Sequence, residues 1–440
     1  MKVVLVRVAI IGSGIAGMGA AWLLSRPETN SGASLGGTRE VHLFEAAERL
    51  GGHTHTHTLD DNGESVNVDT GFIVYNEPTY PNLTRLFGEL GTATQASDMS
   101  FGLQDLASGF AYAGSKEGLF PRWKDTLDPK RVKLATGILR FNRLARKMLD
   151  DPRASRMTLG AFLRAVRLDG LVADNYVLPM AAAIWSTGTG PVRDFPLKAF
   201  LDFFNNHGLL GLKSHHPWRT VTGGSSEYIA ALTAPYADHI HLGHAVDSVS
   251  RGHNDPAGAV QIRLADGTVH HFDKVVIAAH ADQSLAMLAD PSAAEKELLG
   301  PWEFSTNEAW LHTDRSLMPP SRTAWASWNV SVDEASRPEP SVSLTYWMNH
   351  LQSIESETEW LVTLNPSLEP DPALVRKRMT YSHPMFTPES VATQNKIDSE
   401  LNGANDTYFC GAWQRYGFHE DGLWSAVRMA RHFGVQWGVV

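Results

Sequence analysis

Residues 7–11 form a short apolar run opened by Arg7, and three glycines, Gly12, Gly14 and Gly17, follow it at once. A run this short fits a strand buried on both faces, and the Ala, Met, Trp and Leu of residues 16–25 favour a helix directly after it. Strand, tight turn and helix in that order place backbone N–H groups and the positive end of a helix where a pyrophosphate can be held. Residues 26–39, RPETNSGASLGGTR, read as an exposed loop, and residues 41–44 supply a second strand that ends at Glu45. Glu45 lies 28 positions beyond Gly17, against the roughly 20 usual for an acid that binds a ribose; the polar loop absorbs the excess. The unit therefore predicts dinucleotide binding by Gly12, Gly14, Ile15, Ala16 and Gly17, with Glu45 and Ala46 beside the adenosine ribose. An acid at position 45 disfavours the additional phosphate of NADP.

The 440 residues predict two or three domains, and 43% hydrophobic with 20% charged residues describes an ordinary folded chain. The formal charge of −10 repels nucleic acid over the molecule as a whole and leaves room for a local basic patch. Cys410 is the single cysteine, so neither an intramolecular disulfide nor a thiolate zinc site can form, which fits a reducing, cytoplasmic setting. Arg7 and the glycines interrupt the N-terminal apolar stretch, and no later stretch reaches the length of a membrane-crossing helix. Peripheral contact with a membrane surface stays open.

Residues 81–219 read as a helical lobe with helices over 129–149 and 158–167. Strands are expected at 239–242, 245–250, 259–264 and 269–276, with 275–279 central in a sheet. A mixed region spans 302–384, and a last strand at 407–410 precedes Gly411, Gly417, Gly422 and a closing helix. The division expected is a first domain made of 1–80, 220–290 and 401–440, interrupted by a second made of 81–219 and 291–400.

After the second strand comes Gly51, Gly52 and His53, then a His/Thr alternation to Thr58. The glycine pair allows a second close backbone approach to phosphate. On a strand His53, His55 and His57 would share one face within reach of a metal, but no carboxylate or cysteine completes a ligand set. We read them as a hydrogen-bonding rim and assign no metal.

Taken together, Gly12, Gly14, Gly17, Glu45, the Gly51–Gly52 pair, Asp69 to Gly71 and the C-terminal GAWQRYGFHEDGLWSA resemble the flavin-containing amine oxidase and phytoene desaturase superfamily. Stretches such as VDTGFIVYNEPTYPNLTRLF, AAAIWSTG, FFNNHGLL and VTGGSSEYI are similar to a bacterial branch of FAD-binding oxidoreductases often encoded near cyclopropane-fatty-acyl synthase-like methyltransferases. The resemblance implies an α/β chain: a Rossmann-type FAD-binding domain with an interleaved α+β substrate domain. It implies Thr70 and Gly71 in the cofactor site, Val246 near adenine, and Gly411, Asp421 and Gly422 near the flavin. A helix starting near Gly422, capped by His419, Glu420 and Asp421, would aim its positive end at the flavin. Covalently flavinylated members use a cysteine, but Cys410 ends an apolar strand where small residues pack, so noncovalent FAD is expected. His53 stands where many relatives carry an arginine, which removes a positive charge from the phosphate site.

Trp185, Trp218, Trp325, Trp328 and Trp347 suggest an aromatic substrate wall, suited to alkyl chains and ammonium groups alike. Asn205, Asn206, His207, Tyr346 and Asn349 are polar groups set among apolar ones, the candidates for orienting substrate, with His207, Asn206, Tyr346 and Asn349 as catalytic residues. The expected reaction is dehydrogenation of a small apolar or acyl substrate, lipid-borne included, by hydride transfer to flavin N5. A modified fatty acyl chain is favoured over an amine. Flavin-dependent isomerisation without net redox change and a flavin-binding scaffold are the other classes.

Overall fold

A computed structural model describes residues 5–26, 38–114, 116–119, 127–185, 189–211, 216–252, 259–333 and 341–439. The chain opens with β1 (Leu5–Ile11), α1 (Ile15–Ser25), β2 (Thr38–Phe44), β3 (Thr56–Asp61), β4 (Glu64–Asp69), β5 (Val74–Asn76) and α2 (Pro81–Leu90). Three strands follow, β6 (Thr94–Ser97), β7 (Phe101–Asp105) and β8 (Ala111–Ala113). Then come helices α3 (Lys116–Leu119), α4 (Pro129–Met148), α5 (Leu159–Ala165), α6 (Leu178–Trp185), α7 (Thr189–Asp194) and α8 (Leu197–Asn206). The middle of the chain holds β9 (Trp218–Val221), α9 (Glu227–Thr233), β10 (Ile240–His241), β11 (Val246–Arg251), β12 (Val260–Leu264), β13 (Val269–Phe272) and β14 (Lys274–Ile277). It continues through α10 (Ala281–Met287), α11 (Ala293–Leu299), β15 (Glu303–His312), β16 (Trp328–Asp333), β17 (Ser341–Trp347), α12 (Met348–Leu351), β18 (Leu361–Leu364) and β19 (Val375–Met385). Helix α13 (Pro388–Lys396), β20 (Thr407–Phe409) and α14 (His419–Arg431) close it.

Two sheets organise these elements. The first is parallel, in the order β10-β2-β1-β14-β20, and its centre strand β1 is apolar because both faces are covered; Val8, Ala9 and Ile10 are fully buried. Helix α1 packs on it beside α14, close enough that a Cβ on Gly19 would lie 2.7 Å from Leu423. The second sheet has the order β19-β15-β18-β17-β16-β7-β8, antiparallel except where β16 pairs β7. This is the expected α/β architecture, a Rossmann-type unit with an interleaved α+β unit.

Local expectations fare well where packing agrees with them. Helix α4 runs over Pro129–Met148, starting at Asp128, whose carboxylate accepts from Lys130 N at 2.9 Å, with Pro129 in the first turn. Three readings are corrected. Residues 94–113, assigned to a helical lobe, form β6, β7 and β8, and the last two complete the second sheet. The single strand expected at 269–276 is two, because Asp273 turns the chain from a three-stranded sheet, β11-β12-β13, into the parallel one. Its carboxylate accepts from Arg7 N at 2.7 Å and its N–H donates to Arg7 O. The last helix begins at His419 rather than near Gly422, with Asp421 in its first turn accepting from Phe418 N at 2.9 Å. Most of the loop expected at 26–39 lies outside the described residues, but Thr38 and Arg39 belong to β2.

Candidate active site

Parallel strands end at one edge of their sheet, and ligands bind in the crevice beyond it. Gly12 follows β1, Glu45 follows β2, Ala278 follows β14, and Gly411 lies two residues past β20. All four line one cavity of about 770 Å³. Its wall continues over Ile15, Ala16, Ala46, Gly52, His53, Thr70, Gly71, Val246 and Gly422, all assigned to cofactor binding from sequence. Gly17, Gly51 and Asp421 are not in that wall.

The glycines divide by task. A Cβ on Gly14 would meet nothing within 4 Å, so it would project into open space. A Cβ on Gly17 would lie 1.9 Å from Gly12 O, which makes Gly17 a requirement of the turn itself. Gly51 has a φ of +109° and donates its N–H to Ser13 O at 3.1 Å. A Cβ on Gly52 would lie 3.1 Å from Gly14 Cα, so the two glycine turns sit against each other. Helix α1 starts at this floor, and its N-cap Gly14 offers no side-chain bond to its first N–H groups. Unpaired backbone donors, a helix dipole and a Cβ-free approach fit a dinucleotide pyrophosphate.

Side-chain charge contributes little there. Among the described residues, no Lys or Arg belongs to the wall. Arg49 donates to the carbonyls of Leu50, Gly52 and Thr54 and so braces the second turn. Burial holds His53 well below the usual histidine range, and its Nε2 is buried without a partner. Glu45 accepts from Ser13 N at 2.9 Å and Ser13 Oγ at 2.6 Å, so the acid also ties β2 to the first turn. Sequence reasoning missed Ser13, whose place between two glycines was the available signal.

Asp69 is fully buried and accepts from Thr56 Oγ1, from Ser225 N and Oγ, and from Gln352 Nε2. Burial raises its carboxyl to about 6 against those bonds. The network holds Thr70 and Gly71 in the wall and joins β4 to a residue just beyond α12. Beneath the start of α14, Tyr228 Oη contacts His419 Nε2 at 2.7 Å and Thr54 Oγ1 at 2.5 Å. Burial pushes His419 down to about 3.

The repeated histidines do not gather around one point. His53 lies in a turn before β3, beside Tyr381 and His383 at ring distances of 5.0 and 5.3 Å. His55 bonds Tyr381 Oη at 3.0 Å and lies tilted beside His57, ring centroids 4.0 Å apart. Among the described residues, Glu40, His42 and His239 do lie within 4.8 Å of one another, and hydrogen bonds of 3.0 and 3.1 Å account for the arrangement.

At the other end the wall is aromatic. Trp185, Trp218 and Trp328 belong to it, with Phe203 stacked on His207 at 3.9 Å and on Phe418 at 4.9 Å. Trp325 and Trp347 do not; they sandwich Arg322 at 4.1 and 4.4 Å. His207 and Tyr346 line the cavity. His207 Nδ1 donates to Phe203 O at 2.9 Å, which leaves Nε2 as the bare nitrogen, and burial lowers the ring to about 4. Asn205 and Asn206 are exposed at the end of α8, away from the wall. Asn349 instead closes a loop, donating to Thr358 O at 2.7 Å and accepting from Trp360 N at 2.7 Å. Helical and loop ends carry polar residues for such local bonds, which is why composition alone singled these asparagines out. Further wall residues missed from sequence include His280, Trp413, Tyr381 and His383. The last two alternate on β19, and His383 Nδ1 meets the Asn307 amide at 2.9 Å. Cys410 is outside the wall, fully buried against Ala16, its thiol pushed up to about 12.

Residues 15–361 match the family described as flavin containing amine oxidoreductase. No curated protein matches the chain in sequence. Among solved structures, a CLA-producing fatty acid isomerase from P. acnes superposes with a TM-score of 0.66 at 14% identity, covering 97% of this chain and 98% of that one. Cyclohexylamine oxidase from Brevibacterium oxydans IH-35A gives 0.66 at 15% identity, covering 98% and 99%. A putrescine oxidase bound to putrescine gives 0.64 at 14%, covering 98% and 100%.

Proposed function

The chain belongs to the family of flavin-containing amine oxidoreductases, and from that premise we propose that it dehydrogenates a long acyl chain rather than an amine. It is an FAD-dependent oxidoreductase of the amine oxidase superfamily. When bound, FAD supplies the two-electron acceptor; position, dryness and the electrostatic setting come from the protein. In this reading Gly12, Gly14, Ile15 and Ala16 hold the diphosphate through backbone N–H groups, Glu45 takes the ribose hydroxyls, and Val246 lies along the adenine. The start of α14 at His419, a wall residue like Gly422, directs a positive helix end into the cavity.

One observation carries the choice of substrate: among the described residues Glu45 and Asp247 are the two acids of the cavity wall, Glu45 just past β2 of the parallel sheet and Asp247 within β11. The aromatic end offers Phe203, Trp185, Trp218, Trp328 and Met180 and, among the described residues, no carboxylate. Its imidazoles are neutral at pH 7, because burial lowers His207 and His383 to about 4. An uncharged chain fits such a wall, whereas an ammonium ion would enter without a counter-charge. His207 Nε2 and the Tyr346 hydroxyl are the polar groups that would orient the chain. Isomerisation of an acyl chain is the second reading, favoured by the same neutral wall and by the fold shared with a fatty acid isomerase.

Anaerobic mixing of the oxidised holoenzyme with acyl chains and with primary amines tests the proposal through flavin absorbance. Bleaching by acyl chains is expected. Rapid bleaching by amines alone would overturn it, and turnover of acyl chains without net bleaching would select isomerisation.

A further inference from the structure

Helix α4 runs against the charge of the chain. The molecule carries −10 overall, yet these 20 residues hold Lys130, Arg131, Lys133, Arg140, Arg143, Arg146 and Lys147 and no acid. The inward stripe explains how the helix is fixed. Leu134, Phe141 and Ala145 are fully buried, and Phe141 packs at 6.3 and 6.4 Å from Phe162 and Phe200. Two cations serve that docking: Arg131 donates to the carbonyls of Leu119 and Ala111, and Arg146 to that of Leu210.

The outward face is different. Lys133, Arg143 and Lys147 are exposed and have no partner among the described residues, and Arg140 donates to the Val166 carbonyl alone. On the same face Val132 is 40% and Leu139 47% exposed, and Leu127, just before the cap, is 72% exposed. Six large hydrophobics are exposed among the described residues, and these are three of them. Val132 and Leu139 are seven residues apart, two turns or about 10 Å along one side of the helix. Scattered apolar side chains need no explanation; aliphatics interleaved with uncompensated cations on one face do.

We propose that the outward face of α4 docks the protein on an anionic lipid surface. Cations attract the headgroups and the aliphatics enter the layer beneath them. Surface charge is screened over about 8–10 Å in physiological salt, so the docked face meets the membrane while most of the acidic remainder lies beyond its field. Nucleic acid would satisfy the cations and leave Val132 and Leu139 idle. The docking face is also tied to the cavity. Helix α8 meets α4 through Phe200 and the cavity through Phe203 and its C-cap His207, and the carbonyl held by Arg146 belongs to the neighbour of Leu209, a wall residue. The proposal deepens the acyl reading by naming the source of the chain as a lipid layer.

Co-sedimentation of the FAD-loaded protein with vesicles tests it, using phosphatidylcholine with and without phosphatidylglycerol. Binding is expected only with the anionic lipid, and it should fall as salt rises. Replacing Lys133, Arg143 and Lys147 together by Gln should weaken it roughly a hundredfold, at about fivefold per cation. Val132→Ser with Leu139→Ser should weaken it without altering net charge. All five positions are exposed, so unchanged FAD content and Tm show that the variants fold. Absence of binding to anionic vesicles, equal binding to neutral ones, or indifference to both variants would overturn the proposal. Sedimentation needs no turnover, so its failure would leave the acyl reading to the bleaching experiment.

Discussion

Gly14 and Gly17 sit three residues apart in one turn and are glycines for different reasons. The backbone of Gly14 has a φ of −64°, open to any residue, and a Cβ there projects into open space. Gly14→Val should therefore yield a folded protein with unchanged circular dichroism that purifies without FAD, because the side chain occupies the place of the pyrophosphate. Stoichiometric yellow flavin in that variant would refute the assignment. Gly17 faces Gly12 O at a distance no Cβ can share, so its replacement should remove the fold along with the cofactor. The same distinction separates the place of Glu45 in the cavity wall from its bonds to Ser13, which the pattern did not foresee.

Between elements, the connection of α14 to α2 runs through one carboxylate. Glu420 Oε1 accepts from Asn82 N at 3.1 Å and Asn82 Nδ2 at 2.8 Å, and Oε2 from Leu83 N at 2.9 Å. An acid at a helix N-terminus is favourable, and burial raises this one to about 7. Glu420→Ala would leave three donors buried at the start of α2. At about 1 to 3 kcal/mol for each unsatisfied group, a loss of roughly 3 kcal/mol or more is expected in urea unfolding. Glu420→Gln, which keeps an acceptor, should lose less. Equal midpoints for wild type and Glu420→Ala would show that the contact contributes nothing. Sequence placed Glu420 at the start of a helix but not against another one, because the two residues lie 338 positions apart.

Over the whole molecule, buried neutral histidines set the response to acid. Burial lowers ten described histidines, among them His55, His57, His207, His241, His312 and His383 at about 4. Unfolded, each takes a proton near 6.5. Between those values the unfolded chain binds more protons, so stability is present above about 6.5 and is lost as pH falls toward 4. Asp69, Glu420 and Asp421 are raised to between about 6 and 7 and act in the opposite sense, gaining stability as pH falls through that range. Ten groups against three predict a Tm that drops from pH 7 to pH 5. His55, His57, His241 and His312 are not in the cavity wall, so the drop should persist with FAD bound. A Tm that holds or rises over that interval would contradict the sign.

What the sequence determined is what neighbours along the chain can settle. The apolar run into Gly12, the helix opening at Pro129 and the acid that follows β2 each depend on residues within a turn or two of themselves, and each stands where the pattern put it. Tertiary structure decided the rest. Apolar alternation cannot reveal that Asp273 passes the chain between sheets, or that β7 pairs with a strand more than 200 positions away. Nor can it tell an asparagine that closes a loop, such as Asn349, from a histidine that faces a cavity. His53 and His383 meet across 330 residues of chain, and that meeting is fixed by sheet register and burial, which no local pattern encodes.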